Sequence, residues 1–142
     1  MSKLITIVSL VAVGFLSVVV LRGSADDKPP QKERVFEMRT YIAAPGKLDD
    51  LNARFRKYTN TLFKKHGMEL VGYWTPTAEP AAKNTLIYIL AYPSKDAADK
   101  AWKAFRDDPE WKKVVAETEA NGKLVEKVES VYMKPTDYSP IK

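Results

Sequence analysis

Eight residues, TLIYILAY at positions 85–92, decide the fold of this chain. Apolar side chains stand on both faces of this segment, which is typical of an interior strand that is covered on both sides. A loop with two prolines precedes it at 76–84, and Pro93-Ser94 follows it. Such residues punctuate regular structure, so the segment is bounded as a strand should be. The sequence therefore predicts a sheet with this segment in its interior.

The segments on either side of this strand complete an alternating order of strands and helices. Residues 35–43 (VFEMRTYIA) alternate with a period of two, whereas residues 47–66 place apolar side chains at helical spacing before Gly67. The predicted elements, in chain order, are a strand at 35–43, a helix at 47–66, a strand at 68–75, the strand at 85–92, a helix capped by Ser94, a short helix opened by Asp108-Pro109, and a strand at 124–133.

Two strand–helix–strand halves of this kind predict a ferredoxin-like α+β fold. In that fold a four-stranded antiparallel sheet carries both main helices on one face. The interior strand is apolar on both faces, so the second face of the sheet also needs a cover. A second copy of the chain is the simplest cover, since the chain is too short for a second domain. We therefore expect a homodimer that pairs sheet to sheet.

The composition excludes several kinds of function. The chain of 142 residues has no cysteine and one histidine, so disulfides, thiolate sites and clustered-histidine metal sites are not expected. The formal net charge is +5 and both signs are mixed along the chain, which is too mild a balance to predict nucleic-acid binding. We expect one domain, with no metal.

The N-terminus has the pattern of a targeting segment. Residues 4–21 carry no charge and follow Lys3, and the small residues Gly23-Ser24-Ala25 permit cleavage after Ala25. Residues 1–25 are thus expected to be a signal peptide, 26–34 a polar linker, and 35–142 the folded domain of an exported protein, periplasmic or extracellular. The alternative is an uncleaved membrane anchor, since this run of 18 residues, 14 of them apolar, just reaches the length needed to span about 30 Å of hydrocarbon.

Five residues are candidates for a ligand site. Glu37, Arg39 and Tyr41 share one strand face and could bind an anionic or hydrogen-bonding ligand, or form an ion pair that fixes the register. The arginine is expected to keep the glutamate ionised. His66, at a helix C-terminus, could transfer protons, ligate haem, or cap the last carbonyls. We expect a pocket at the sheet–helix cleft with His66 at its rim and Arg39, Tyr41 and Trp74 in its wall.

Six motifs follow one another in order from residue 35 to the end of the chain. They are Glu37-x-Arg39-Thr40-Tyr41, Pro45-Gly46-Lys47-Leu48, Leu62-Phe63-x-Lys65-His66-Gly67-Met68, Gly72-Tyr73-Trp74, Asp108-Pro109-Glu110-Trp111 and Pro135-Thr136-Asp137-Tyr138-Ser139-Pro140. Together they resemble the NIPSNAP family. The resemblance implies a dimeric α+β barrel related to small cofactor-independent monooxygenases and haem-handling domains. Tyr58 stands where family members often have a histidine in the first helix.

Three functions from different classes follow. The first is an exported, non-catalytic homodimer that binds a small organic molecule or a protein, with no cofactor. The second is a cofactor-independent oxygenase or a haem-handling enzyme, which the resemblance alone implies. The third is a protein-interaction module tethered to a membrane through residues 4–21.

Overall fold

The computed structural model of the protein describes residues 34–142. The predicted signal or anchor at 1–25, the cleavage after Ala25 and the linker up to residue 33 lie outside the described residues. Within residues 34–142, none of the helices has the length and apolar character needed to cross a membrane. Arg34 already belongs to the folded part, because its Nη1 lies 2.6 Å from a carboxylate oxygen of Glu69.

The elements follow the predicted order closely. They are β1 (Val35–Ala43), α1 (Leu48–Arg54), a π-helical turn (Phe55–Thr59), α2 (Asn60–Lys65), β2 (Glu69–Trp74), a 3₁₀ turn (Ala81–Lys83), β3 (Thr85–Tyr92), α3 (Lys95–Asp107), α4 (Pro109–Thr118) and β4 (Val125–Met133).

The four strands form one antiparallel sheet in the order β2-β3-β1-β4. The decisive segment, β3, lies between β2 and β1, which confirms its predicted interior position. In the registers of the sheet, Met38 of β1 lies opposite Ile89 of β3 and Val131 of β4. Strand β4 forms one edge, so only one of its sides is paired within the described chain.

The helix boundaries have the predicted chemistry. The side chain of Ser94 accepts a hydrogen bond from the backbone N–H of Ala97 at 3.1 Å, and that of Asp108 accepts one from the N–H of Glu110 at 2.8 Å. Both are N-caps, which bind N–H groups that have no partner within the helix. Gly67 has φ +77°, the left-handed conformation that glycine adopts freely after a helix.

The first helix differs from the prediction in one respect. Its apolar spacing fits an uninterrupted α-helix over 47–66, but α1 and α2 are joined by the π-helical turn. In this turn the N–H of Asn60 donates to the carbonyl of Phe55, five residues back. A π turn adds one residue to a helix and is frequent at functional sites.

The core lies between the helices and one face of the sheet. Leu90, Tyr88, Phe55, Phe63 and Trp102 are among its buried residues, and aromatic rings meet edge to face within it. Within residues 34–142 the helices cover this face alone, so the predicted four-stranded α+β fold with helices on one face is confirmed.

The second face of the sheet, which we call the open face, carries apolar side chains that no helix of the described residues covers. It includes Met38, Ile87, Ile89, Val131 and Trp74, of which Val131 and Trp74 are 49% and 50% exposed. The tail that follows β4 lies at one end of this face, where Pro135 and Ile141 help to line an apolar groove with Phe36 and Val71.

Candidate ligand-binding site

The carboxylate of Glu37 is the centre of the most extensive polar cluster among the described residues. Its side chain projects from β1 towards the helices and is completely buried. Four donors surround it: Arg39 Nη1 and Ser130 Oγ each lie 2.6 Å from Oε1, while Trp102 Nε1 and the Tyr92 hydroxyl lie 2.6 Å and 2.9 Å from Oε2. The cluster therefore joins β1, β3, β4 and α3.

The donors on the strands reach Glu37 because of the pairing register of the sheet. Ser130 lies opposite Arg39 on β4, and Tyr92 lies two residues along β3 from Leu90, the partner of Glu37. Side chains two residues apart on a strand share a face, so all of these groups point to the helix side. Trp102 completes the cluster from the buried side of α3.

Arg39 is held in a defined position by this cluster. Besides its bond to Glu37, its guanidinium carbon lies 4.2 Å from the ring centre of Trp102 and 5.5 Å from that of Tyr41. An arginine stacked on an aromatic ring gains a cation–π attraction. The Nε–H of Arg39 is buried and has no hydrogen-bond partner among the described residues.

An open cleft of about 700 Å³ lies beside this cluster, between α3 and the strands β1 and β4. Arg39, Ser130 and Trp102 form its inner part, and Tyr132, which is 37% exposed, forms part of its strand side. The charged side chains of α3 that border it are Asp99, Lys103, Arg106 and Asp107. We call this space the α3–β4 cleft.

The environment of Glu37 determines its protonation. Burial by itself raises the pKa of the carboxyl, but hydrogen bonds from Ser130, Trp102 and Arg39, together with the charge of Arg39, outweigh burial and hold the pKa below its ordinary value. Burial and the negative charge of Glu37 raise the pKa of Tyr92, so this phenol keeps its proton and remains a donor.

This arrangement holds the donors around Glu37 in position, and the carboxylate is not suited to exchange protons. A carboxylate has about four lone-pair directions, and Glu37 accepts four hydrogen bonds. It has no acceptor capacity left for a ligand and no tendency to take up a proton near neutral pH. Its effect is to orient Arg39 and Trp102 at the inner side of the cleft.

The structure brings some of the sequence candidates together and separates others. Glu37, Arg39 and Tyr41 share the helix face of β1. Alternation predicts that they share a face but does not say which face the helices cover. Trp74 lies on the opposite, open face, where its indole covers Gly72: a Cβ added to Gly72 would come within 2.6 Å of the ring. Trp74 therefore does not border the α3–β4 cleft.

His66 is engaged elsewhere. Its Nε2 lies 2.7 Å from Oδ2 of Asp108, and the same oxygen lies 2.8 Å from Nζ of Lys65. His66 joins the end of α2 to the start of α4, and it does not border the α3–β4 cleft. Ligation of haem through Nε2 would require the bond to Asp108 to break, and the ring also lies edge to face with Phe105.

Sequence reasoning did not identify Ser130 and Tyr132 as site residues. Their signal is the alternation Val128, Ser130, Tyr132 along β4, which places them on one face. The pairing register of β4 could not be read from this weak pattern, and without it the two residues have no assigned neighbours. Trp102 and Tyr92 were visible as aromatic residues, but their bonds to Glu37 depend on tertiary contacts.

A second charged cleft, of about 380 Å³, lies at the π-helical turn. Arg54, 5% exposed, borders it and bonds Glu119 at 2.8 Å, and its guanidinium carbon lies 5.2 Å from the ring centre of Trp111. This pair ties the first helix to the C-terminal end of α4, and Tyr58 borders the same cleft.

In the part of the chain that the structure describes, no three histidine, cysteine or acidic side chains are placed to hold a metal ion.

The chain is similar to the proteins of one known family. The profile of the NIPSNAP family matches residues 36–140. No curated protein matches the chain.

Solved structures with the same fold are similar to this chain at low sequence identity. A NIPSNAP family protein of unknown function from Agrobacterium tumefaciens is 26% identical, with 79% of this chain and 96% of that chain covered and a TM-score of 0.67. An uncharacterised NIPSNAP-like domain protein from Burkholderia xenovorans is 17% identical, over 78% and 91% of the two chains, with a TM-score of 0.67. SnoaB, a cofactor-independent oxygenase from Streptomyces nogalater, is 13% identical, over 76% and 98%, with a TM-score of 0.52, and shows the shared fold alone.

Proposed function

The chain belongs to the NIPSNAP family, and we propose that it binds a small organic molecule in the α3–β4 cleft, without catalysis, as a homodimer. The observation that supports this role is the saturated carboxylate of Glu37. A buried charge with a full set of partners is costly to assemble and holds its neighbours rigidly. Rigid placement of a cation and an indole beside a cleft is what a preorganised binding site requires.

The same observation favours binding over catalysis. A general acid or base needs a proton-exchanging group within hydrogen-bond reach of the ligand. Glu37 has no free lone pair, and His66 is bound to Asp108 away from the cleft. Oxygen consumption in the presence of a bound aromatic compound would instead support the cofactor-independent oxygenase, and a Soret shift on haem titration would support a haem-handling enzyme.

NMR of the three tryptophan indole groups tests the binding proposal. The chain has three tryptophans, and only Trp102 has its Nε1–H on Glu37 beside the cleft. We expect benzoate, indole-3-acetate or benzyl alcohol to shift the indole resonance of Trp102. Those of Trp74, on the open face, and Trp111, on α4, are internal controls, assigned with the Trp74→Phe and Trp111→Phe variants.

Two outcomes would contradict the binding proposal. One is that none of these compounds moves the Trp102 resonance at millimolar concentration. The other is that the Trp74 resonance moves with the same concentration dependence, which would locate binding on the open face. The first outcome would leave a protein partner as the better candidate, and the second would remove the α3–β4 cleft as the site.

Homodimerisation through the open face belongs to the same proposal. Apolar residues of three strands meet there, with Met38 between Ile89 and Val131. Monomers rarely keep a continuous apolar surface of this kind in water. A second copy offers the same surface, so a two-fold axis would cover both.

Export is the remaining part of the proposal. The uncharged segment 4–21 and the small residues before Asp26 support it. Mass spectrometry of the protein purified from its own cells is expected to find a chain beginning at Asp26 in the exported fraction. An intact N-terminus in the membrane fraction would support the anchored alternative, and an intact N-terminus in the cytosol would contradict both.

A further inference from the structure

The acidic side chains that border the α3–β4 cleft are paired with cations. The carboxylate of Glu37 is buried and saturated, so its charge faces its own donors. Asp99 is bound by Lys95, and Asp107 by Lys103, each pair one helical turn apart on α3. The hydrogen bond from Lys103 lowers the pKa of Asp107, which stays ionised and paired. The acidic groups of the cleft therefore already have cationic partners.

The basic groups of the cleft keep free donors. Arg106 of α3 makes no hydrogen bond or ion pair with another residue of the described segment, although its charge acts on the neighbouring Asp107. A guanidinium has five N–H donors, of which Arg39 uses one nitrogen, Nη1, for Glu37. The side chain of Arg39 is 16% exposed, and it lies at the inner end of the cleft. The charged groups with donors left for a ligand are thus the guanidinium groups of Arg39 and Arg106.

The strand side of the cleft is aromatic. Tyr132 lies opposite Glu37 in the sheet and is 37% exposed. Nζ of Lys95, which also bonds Asp99, lies 4.5 Å from the centre of this ring. Offset stacking of a ligand ring on the phenol would be a favourable contact. A flat apolar body and an anionic group are therefore both matched by groups that border the same cleft.

We propose that the α3–β4 cleft takes an aromatic carboxylate, with its carboxylate bound by Arg39 and Arg106 and its ring against Tyr132. This assignment rests on the proposed binding function and adds the chemical class of the ligand. Arginine suits such a ligand because its planar fork matches a carboxylate. Contact with Tyr132 recognises the apolar ring of the ligand. The positive charge of the two arginines gives the preference for an anion among ligands of equal shape.

Three probes of nearly equal shape and different charge test this assignment. Benzoate is anionic, benzamide neutral and benzamidine cationic, and each is titrated into the full chain while the Trp102 indole resonance is observed. We expect benzoate to bind about tenfold more tightly than benzamide, as one charge-assisted hydrogen bond gives. Benzamidine is expected not to bind.

Variants locate the preference in the cleft. Arg106→Gln is expected to weaken benzoate binding about tenfold and to leave benzamide binding unchanged. Lys100→Gln is the matched control, since it removes one positive charge from the exposed side of the same helix without bordering the cleft. It should change neither affinity. Tyr132→Leu should weaken benzoate and benzamide alike, because it removes the aromatic wall and keeps the charges.

The outcomes separate this inference from the function on which it rests. If no probe moves the Trp102 resonance, the binding function itself fails. If benzamide binds as tightly as benzoate, the cleft binds ligands but the carboxylate assignment is overturned. The assignment would also be overturned if Arg106→Gln weakened the binding of benzoate and benzamide equally, or if Lys100→Gln lost the preference for benzoate. Either result would show that Arg106 is not the residue that recognises the charge of the ligand.

Discussion

At the scale of single residues, the site depends on one buried charge with several partners. Glu37 has two kinds of donor, a charged one on Arg39 and neutral ones on Tyr92, Trp102 and Ser130. The charged partner balances the ionised carboxylate, and the neutral ones complete its hydrogen bonds. Removal of the charged partner should therefore have the largest effect on stability.

Replacing Arg39 by methionine tests this expectation. Because the variant leaves Glu37 buried without its counter-charge, we expect the free energy of unfolding to fall by about 3–5 kcal/mol in urea denaturation. Arg106→Gln, on the exposed side of α3 and without an ion pair, is the control and should stay within about 0.5 kcal/mol of the wild type. The double variant Glu37→Leu/Arg39→Met should recover part of the loss, because no unpaired charge remains. A single variant as stable as the wild type would show that the neutral donors suffice.

Acid sensitivity is expected from Asp108. Hydrogen bonds from Lys65, from His66 and from the N–H of Glu110 hold the pKa of this carboxyl well below its ordinary value. A folded-state pKa below the unfolded one adds stability that is complete above the unfolded value, about 3.8. That stability is lost as the pH falls towards the folded value.

The variant Asp108→Asn separates this acid effect from helix capping. Asparagine also caps helices well, but it does not titrate. We expect the melting temperature of the wild type to fall more than that of Asp108→Asn between pH 6 and pH 3, by thermal unfolding followed by circular dichroism. Parallel pH profiles would contradict the assignment. Glu37 and Asp107, whose pKa values are also lowered, contribute the same acid loss to both proteins.

At the scale of elements, α3 is the helix on which the cleft depends, because it carries Trp102 and the charged border. Its first turn is closed by the hydroxyl of Ser94. Replacing Ser94 by alanine leaves an N–H of the first turn without its side-chain partner. We expect a loss of about 1 kcal/mol in the free energy of unfolding. Ser94→Asp should keep most of the wild-type free energy of unfolding, since aspartate caps a helix as well as serine does. An unchanged stability in Ser94→Ala would show that water replaces the cap.

At the scale of the whole molecule, the two faces of the sheet have different surroundings. Val131 and Val128 both lie on β4 and are 49% and 44% exposed. Val131 lies opposite Met38 on the open face, and Val128 lies opposite Tyr41 on the helix face. They form a matched pair in which residue type, strand and exposure are shared and only the face differs.

Lysine at each position tests dimerisation. The wild-type chain from Asp26 is expected to have twice the monomer mass in light scattering. Val131→Lys should give a monomer, because it places a charge without a partner in the paired faces, and Val128→Lys should remain a dimer. A wild type that is monomeric at micromolar concentration would contradict the dimer. Dissociation by Val128→Lys alone would move the interface to the helix side.

Local sequence determined most of the fold. Period-two alternation located β1 to the residue, the two-sided apolar run located β3 in the sheet interior, and Ser94, Gly67 and Asp108 marked helix ends. These signals are local because a cap, a left-handed glycine and a pleat each depend on a few adjacent residues. The π-helical turn was missed, since its apolar spacing also fits an ordinary α-helix.

The sequence by itself determined that Glu37, Arg39 and Tyr41 share a strand face and that arginine keeps the glutamate ionised. Only the tertiary structure decided that this face meets the helices, that Ser130 and Trp102 complete the cluster, and that His66 and Trp74 lie apart from it. The reason is physical: alternation defines two faces of a strand but does not say which one is covered. That choice depends on strand order, pairing register and the side on which helices pack, which arise from contacts between residues distant in the chain.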